Sequence, residues 1–369
     1  MDANMQQSPK ITKESKRKIK VEFERLPLKE RLKAKFVNMN FLMSIVWYIF
    51  RLILLIGVAY VVLFPFFAKI AGSIMSPEDF VDVTVRLIPR NPTLDIYKAI
   101  FTEMPYWEVF GNTLLLSLSC ALLQTFVCCV IAYGLAKFKF RGNKLVMAAV
   151  ILTMIVPHQT LQMSMFTSFR FFDVWGILSL LSGGAETPFA GLNEVLANIH
   201  VLNLEEHSIN LLNTFWPMMI LSATGLGFKN GLYIFMLRQF FTGVPDALEE
   251  SAYIDGSGTI HTFLTIILPL SVPMMITVFL FAFCWQWTDD FYTGLFFTAG
   301  SPIKLMPDMV PSDTEIPSSL KTDYAGQSLY YSAIRNTCGI CIIAPLVVLY
   351  IFCQKFLVQG IERSGLTAD

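Results

Sequence analysis

Apolar side chains gather in six blocks along the chain, at approximately 47–68, 109–136, 145–166, 213–237, 266–287 and 336–355, and polar or charged residues return between them. A bilayer core takes ~20 predominantly apolar residues per helix, and a backbone in lipid has to pair its polar groups within the segment. Each block predicts a transmembrane helix. Together they predict an all-α, polytopic membrane protein with about six spans. The fourth block is interrupted by "TGLGFKNG" at 224–231, which predicts two half-helices rather than one rod. Lys229 inside that break has to find water or a protein partner, because a cation at mid-membrane costs ~2.5–3.5 kcal/mol.

Orientation follows from Lys and Arg, which are retained on the cytoplasmic side. Residues 1–44 hold eleven of them, from Lys10 to Lys35, and show no short apolar core followed by small residues that would mark a cleaved leader. With the N-terminus inside and six crossings, the inner connections are 137–144, 238–265 and the tail after 355. The first reads "KFKFRGNK", and the tail adds Lys355 and Arg363. Both termini are expected in the cytoplasm. The expected organisation is a basic cytoplasmic arm over 1–44 and a transmembrane domain over 45–369. The arm either sets topology as a surface-lying leader or meets a partner, and its 28–42 portion suits an amphipathic helix on anionic membrane lipid. The outward segments 69–108, 167–212 and 288–335 are long for loops and carry turn formers such as "SGGAETPFAGLN".

Composition agrees with the pattern. Of 369 residues, 54% are hydrophobic and 15% charged, with a mean hydropathy of +0.55, against roughly 25% charged in a soluble domain. The net charge is formally zero, so no basic field points to nucleic acid. The seven cysteines lie in or beside apolar blocks and read as small hydrophobes. Cys338 and Cys341 form a C-x-x-C without a second pair, and the four histidines show no metal-ligand spacing. No metal site, cofactor or catalytic constellation is expected. No G-x-x-x-x-G-K-[ST] occurs, so nucleotide would have to be held by another chain.

The connection "DALEESAYIDGSGTIHTFLTIILPL", 246–270, concentrates Asp246, Glu249, Glu250 and Asp255 between two apolar blocks. It reads as helix–turn–helix. Pro245 suits a first helical position, the early carboxylates complement the helix dipole, Gly256 suits a left-handed C-cap, and Ser257 or Thr259 suits the next N-cap. Ala247, Leu248, Ser251 and Ala252 are expected on one small packing face, with Glu249, Glu250 and Tyr253 elsewhere on the surface. Such a helix lying along a membrane suits insertion into another protein's groove.

Glu250, Ser251, Ala252 and Gly256, followed by Ile266, Leu268 and Pro269, resemble the EAA loop of permease subunits in bacterial ABC importers, with Glu-Ser-Ala in place of Glu-Ala-Ala. "FGNTLLLSL", "AYGLAKFKFRGNK", "LLNTFWPMMI", "YIFMLRQFFTGVPDALEESAYIDG" and "QKFLVQG" are similar to the carbohydrate branch of that family, and above all to the second permease subunit of maltose-type transporters, over approximately 47–365. The resemblance implies a coupling loop over about 242–268 that seats Asp246, Glu249, Glu250, Ser251, Ala252, Asp255 and Gly256 on a cytoplasmic ATPase. It also implies a companion permease subunit, two ATPase subunits that bind the ATP, an extracellular solute-binding lipoprotein, a sugar or oligosaccharide as cargo, and a bacterial cell membrane location. Three departures stand out: an apparent external insertion at about 179–210, the long basic arm, and Thr288 where relatives carry Asn after the tryptophan.

Polar groups within spans are costly and often functional. Asn112, His158, Gln159, Gln162, Trp285, Gln286 and Asp289 are the expected pathway residues. Trp285 and Trp287 suit either stacking on a sugar ring or anchoring in the interfacial belt. His158 either lines the pathway or bonds a neighbouring helix. The competing functions are an ion-coupled secondary transporter and an ABC permease for a solute other than sugar. The first would carry intramembrane acids and related halves, and no half-repeat is present.

Overall fold

A computed structural model describes residues 39–173, 202–203, 208–227, 229–298, 300–323 and 327–365. The basic arm up to residue 38 and most of the 179–210 stretch lie outside the described residues. The chain divides into two compact units, Met1–Phe67 and Ala68–Asp369. The described part of the first is the body of helix α1 (Met39–Ser73), an almost wholly apolar rod with Pro65 inside it.

The second unit is helical, apart from a two-residue antiparallel ladder between β1 (Leu202–Asn203) and β2 (Ser208–Ile209). Its helices are α2 (Asp95–Thr102), α3 (Tyr106–Lys137), α4 (Asn143–Ile155), α5 (Gln162–Arg170), α6 (Trp216–Ala223), α7 (Asn230–Gly243), α8 (Ala247–Ile254), α9 (Thr259–Thr262), α10 (Leu268–Trp287), α11 (Phe291–Phe296) and α12 (Gln327–Gly365). Among the described residues, four continuous helices are long and apolar enough to cross a membrane: Met43–Ser73, Tyr106–Lys137, Thr259–Trp287 and Gln327–Leu357. α4 and the segment His158–Arg170 make a fifth span only as a pair bent by 94° at Pro157. The block expected to cross at 213–237 is two short helices, α6 and α7, as its glycines predict. The six expected crossings are therefore four rods and two broken segments.

α3 is the central post, packed along α7 and α10, with α12 against α10 and in touch with α7. Its buried positions, among them Leu116, Cys120, Gln124, Cys128 and Ala132, repeat at three- and four-residue spacing, the period that holds one face of a helix to its neighbours. Two apolar clusters result. The larger includes Val109, Cys128, Tyr233, Leu237, Met274, Trp287 and Ile334. The smaller gathers Leu116, Phe169, Met218, Tyr292 and Phe296 at one end.

Pro345 interrupts α12. It has no N–H to donate to the carbonyl four residues back, Cys341, and its ring crowds that turn. Neighbouring spans supply the missing donors. Tyr106 Oη on α3 donates to Cys341 O at 3.3 Å, and Trp287 Nε1 on α10 donates to Ile342 O at 3.0 Å. Trp287 is fully buried.

Close approach explains one glycine. A Cβ on Gly231, in the first turn of α7, would lie 2.6 Å from Thr153 Oγ1 and 3.1 Å from the backbone oxygen of Val150. α7 and α4 meet there backbone to backbone. At the other end of the bundle the 76–93 loop is organised by buried Asp79, whose Oδ2 accepts the N–H groups of Arg90 and Asn91 at 3.1 Å. Phe172, ahead of the apparent insertion, and Ile209, near its close, exchange both backbone hydrogen bonds at 3.0 Å.

Two changes test this packing. Trp287→Phe removes the indole donor to the Ile342 carbonyl and lowers stability by ~1–3 kcal/mol, read as a lower melting temperature of the detergent-purified protein. Gly231→Ala overpacks the α4–α7 contact and costs ~1–3 kcal/mol. An unchanged melting temperature in Gly231→Ala would show that the two helices separate readily.

Candidate functional site

Two places are candidate sites: the acidic turn around α8, and the cavity between the two broken segments.

The acidic turn is built as its residue types require, with boundaries shifted by two residues. α8 starts at Ala247, with Asp246 at the N-cap position, so Pro245 precedes the helix instead of opening it. It ends in a Schellman motif: Gly256 adopts φ +83, the N–H of Ser257 bonds Ala252 O at 2.9 Å, and the N–H of Gly256 bonds Tyr253 O at 3.1 Å. Gly258, with no side-chain cap, precedes α9, where Ser257 or Thr259 was expected. Ser257 Oγ instead accepts a bond from Thr262 Oγ1 at 2.9 Å. A π turn at Phe263–Ile267 then leads into α10.

The faces of α8 differ from those expected. Glu249 and Ala252 are buried, while Ala247, Leu248, Glu250, Ser251, Tyr253 and Asp255 are exposed. Glu249 therefore does not project with Glu250. It faces the bundle, with its carboxylate beside the Tyr133 hydroxyl on α3. Tyr133 in turn packs on Phe263 with ring centroids 4.6 Å apart, and edge-on to Phe241 of α7 at 5.7 Å. The chain entering α8 is held by Lys137, the last residue of α3, whose Nζ donates to Val244 O and to Asp246 Oδ1, both at 2.6 Å. That hydrogen bond and the lysine's charge hold the exposed Asp246 carboxyl below its ordinary value. The turn is thus fastened to α3, α7 and α10, and beside it opens a groove of about 470 Å³ lined by Ser251, Asp255, Gly256 and His261.

The second place is a cavity of about 800 Å³ between the Pro157 bend and the 224–229 break. α6 ends in another Schellman motif, with Gly225 at φ +77 and the Leu226 N–H bonding Leu221 O at 3.0 Å. Lys229 follows at φ +68 and sends Nζ over the ring of Trp285, 4.8 Å from its centroid. His158, Gln159, Lys229 and Trp285 line the cavity together with Ser164 and Ser168. His158 lines the cavity, and its Nδ1 bonds Tyr292 Oη at 3.1 Å, the contact with a neighbouring helix open to it from the sequence.

The other expected pathway residues lie elsewhere. Asn112 tethers an outer loop, its Nδ2 donating to Lys304 O at 3.3 Å. Gln162 is exposed and does not line the cavity. Gln286 and Asp289 face a separate recess of about 10 Å³ with Gln124 and Tyr233. Asp289 is buried and accepts the Thr293 N–H at 3.1 Å, which caps α11. Trp287 is a fully buried core residue, neither belt anchor nor sugar platform. Two residues were missed. Tyr292 sits outside every apolar block. Lys229 stands out in the sequence for the cost of its charge, and the structure places it on the cavity wall over Trp285.

Comparison with known proteins places these features in a family. Residues 126–363 match the family described as "Binding-protein-dependent transport system inner membrane component". Among curated relatives, the chain is 22% identical over 307 residues to the inner membrane ABC transporter permease protein YcjP of Escherichia coli (83% of this chain, 91% of the relative). It is 26% identical over 310 residues to the polygalacturonan/rhamnogalacturonan transport system permease protein YtcP of Bacillus subtilis (82% and 91%). Its fold is similar to that of a chain in the crystal structure of a bacterial ABC transporter involved in the import of the acidic polysaccharide alginate, with a TM-score of 0.59 and 19% identity over 85% of this chain and 97% of that one. The match spans α3 through α12 and so contains both the acidic turn and the cavity: this chain belongs to the family of inner-membrane components of binding-protein-dependent transport systems, the permease subunits of ABC importers.

Proposed function

We propose that this permease forms part of the pathway for a sugar or oligosaccharide, and that α8 is the handle through which a cytoplasmic ATPase moves it. The observation that carries the reading is the fastening of the acidic turn. Glu250, Ser251 and Asp255 are exposed on a helix whose other face, Glu249 and Ala252, is seated in the bundle. The turn is locked at one end by the Lys137–Asp246 pair and at the other by the Gly256 cap. A force applied to the exposed side is transmitted to α3, α7 and α10 as a rigid-body movement, the kind of transition that shifts a transporter between two states.

In this reading the partners are a companion permease, two ATPase subunits that hold the ATP, and a solute-binding lipoprotein outside a bacterial cell membrane. The turn and both termini lie in the cytoplasm, in keeping with "KFKFRGNK" beside the turn. Sugar as cargo is supported by relatives such as the galactooligosaccharides transport system permease protein GanQ and the maltodextrin transport system permease protein MdxG of Bacillus subtilis, 24% and 25% identical. Family membership weighs against an ion-coupled transporter: uptake is expected to persist when proton and sodium gradients are collapsed and to stop when ATP is removed.

Glu250→Lys is expected to abolish uptake and ATPase co-purification while the protein stays in the membrane; wild-type uptake in that variant would sink the coupling role. Asp246→Asn releases Lys137 and is expected to weaken ATPase co-purification. The Asp246 carboxyl titrates below the ordinary 3.8, so the pair is intact above that value and its contribution is lost only as pH falls through the lowered one. The difference between wild type and Asp246→Asn should therefore be constant from about pH 5 to 8, and a difference that vanishes within that range would assign the effect to another group.

A further inference from the structure

In α8 a carboxylate is buried and a leucine exposed, the reverse of what hydrophobicity selects. Glu249 is 8% exposed and Leu248, beside it, 39%. Successive residues stand ~100° apart around a helix. A turn of α8 by that angle would bury Leu248 with Ser251 and carry Glu249 out to water. Burial of a carboxylate is unfavourable unless a polar group meets it. Something in the bundle therefore holds α8 against the rotation its apolar residues favour.

What meets the carboxylate is Tyr133, one turn before the end of α3, whose hydroxyl lies beside Glu249 and the hydroxyl of Tyr253. Its ring is clamped by Phe138, Phe241 and Phe263, with centroids 5.6, 5.7 and 4.6 Å away. The hydroxyl is thus a fixed post. One turn further along α3, Lys137 Nζ holds Asp246. Tyr133 and Lys137 stand at i and i+4, and Asp246, Glu249 and Tyr253 at i, i+3 and i+7, so each set forms one stripe of its helix. The two stripes match in one rotation of α8 only. The Lys137 pair pins the start of α8, and the Tyr133 contact, further along, sets its rotation. Fixing the register between packed helices is the best-attested use of a buried polar contact.

We propose that Tyr133 and Glu249 are positioning residues for energy coupling: the phenol and the buried carboxylate act as a key that fixes the rotation of α8, so that Leu248, Glu250, Ser251 and Asp255 are turned toward the ATPase. The inference rests on the coupling role given above and divides the two glutamates between its parts. Glu250 meets the ATPase, and Glu249 aims the helix that carries it. A phenol can donate and a carboxylate can only accept, so exchanging either for an apolar group of similar shape removes the key without emptying the seat. A hydrogen bond to a charged group is worth about 10- to 100-fold in an equilibrium, and that bias toward one rotation is what the exchange removes.

The test uses the whole assembly, this chain expressed with its companion permease and ATPases, carrying a photocrosslinking side chain at position 248. Three quantities are measured in each background: ATPase co-purified, ATPase crosslinked to position 248, and the melting temperature of the purified assembly. Tyr133→Phe and Glu249→Leu are expected to lower the crosslinked product about 10-fold, and the double variant should lower it no further, because both remove one contact. Glu249→Gln keeps a carbonyl acceptor for the phenol and should stay within a few-fold of the wild type. Glu249→Leu should hold or raise the melting temperature, since an apolar side chain of similar volume often replaces a buried charged group without loss. A purely structural role would move crosslinking and melting temperature together. Wild-type crosslinking in Tyr133→Phe and Glu249→Leu, losses that add in the double variant, or a melting temperature that falls in step with the product would overturn the key and leave the coupling role standing. Absence of a crosslink in the wild type would overturn the facing of Leu248, and the key with it. Normal ATPase co-purification in Glu250→Lys would overturn the coupling role itself.

Discussion

Inside a bilayer a backbone carbonyl without a donor has no water to turn to, and the packing of this bundle is arranged around that constraint. Pro345 removes the donor that Cys341 O would have had, and the response comes from other spans: Tyr106 Oη reaches Cys341 O and Trp287 Nε1 reaches the next carbonyl, Ile342 O. Both aromatics therefore sit in the core with their polar tips inward, and through them α3, α10 and α12 are held in register. Hydrocarbon packing alone discriminates weakly between helix registers in lipid, because lipid tails are as apolar as leucine. Directional bonds to freed carbonyls supply the missing specificity.

The same constraint explains where the polar site lies. Irregular backbone at membrane depth is tolerated only where it is buried in protein or lines a water-filled space. Two breaks among the described residues, the 94° bend at Pro157 and the one after α6, border one cavity. The break satisfies most of its backbone through the Schellman bond from Leu226 to Leu221 O and the bond from Asn230 N to Gly227 O at 3.0 Å. The buried Asn230 amide is left without a partner. A polar side chain in that state costs ~1–3 kcal/mol.

At the acidic turn the exposed side and the seated side of one short helix divide its carboxylates. Glu250 and Asp255 are exposed, whereas Glu249 is pressed against Tyr133. A glutamate in a packing face is unusual in an eight-residue helix, and it ties the handle to the aromatic cluster of Tyr133, Phe241 and Phe263. The groove beside Gly256 is lined by the exposed Ser251 and Asp255, so one of the exposed carboxylates borders a concavity.

What the chain determines by itself is whatever depends on local composition. Apolar blocks of sufficient length had to become helices, "TGLGFKNG" had to break one of them, Gly256 had to turn left-handed, and the carboxylates after Pro245 had to open a helix. Partnership is another matter. Nothing local distinguishes Glu249 from Glu250, and only the tilt of α8 against Tyr133 buries one and exposes the other. Asn112, Gln162 and Asp289 looked as costly in the sequence as His158, yet packing turns one into a loop tether, leaves one on the surface and makes one a helix cap. Tyr292, 134 residues from His158, and Trp285, which steadies Lys229, meet their partners only because broken segments fold back toward α10 and the turn that follows it. Side-chain cost is local and can be read from composition, whereas the group that offsets it comes from a distant part of the chain and is chosen by tertiary packing.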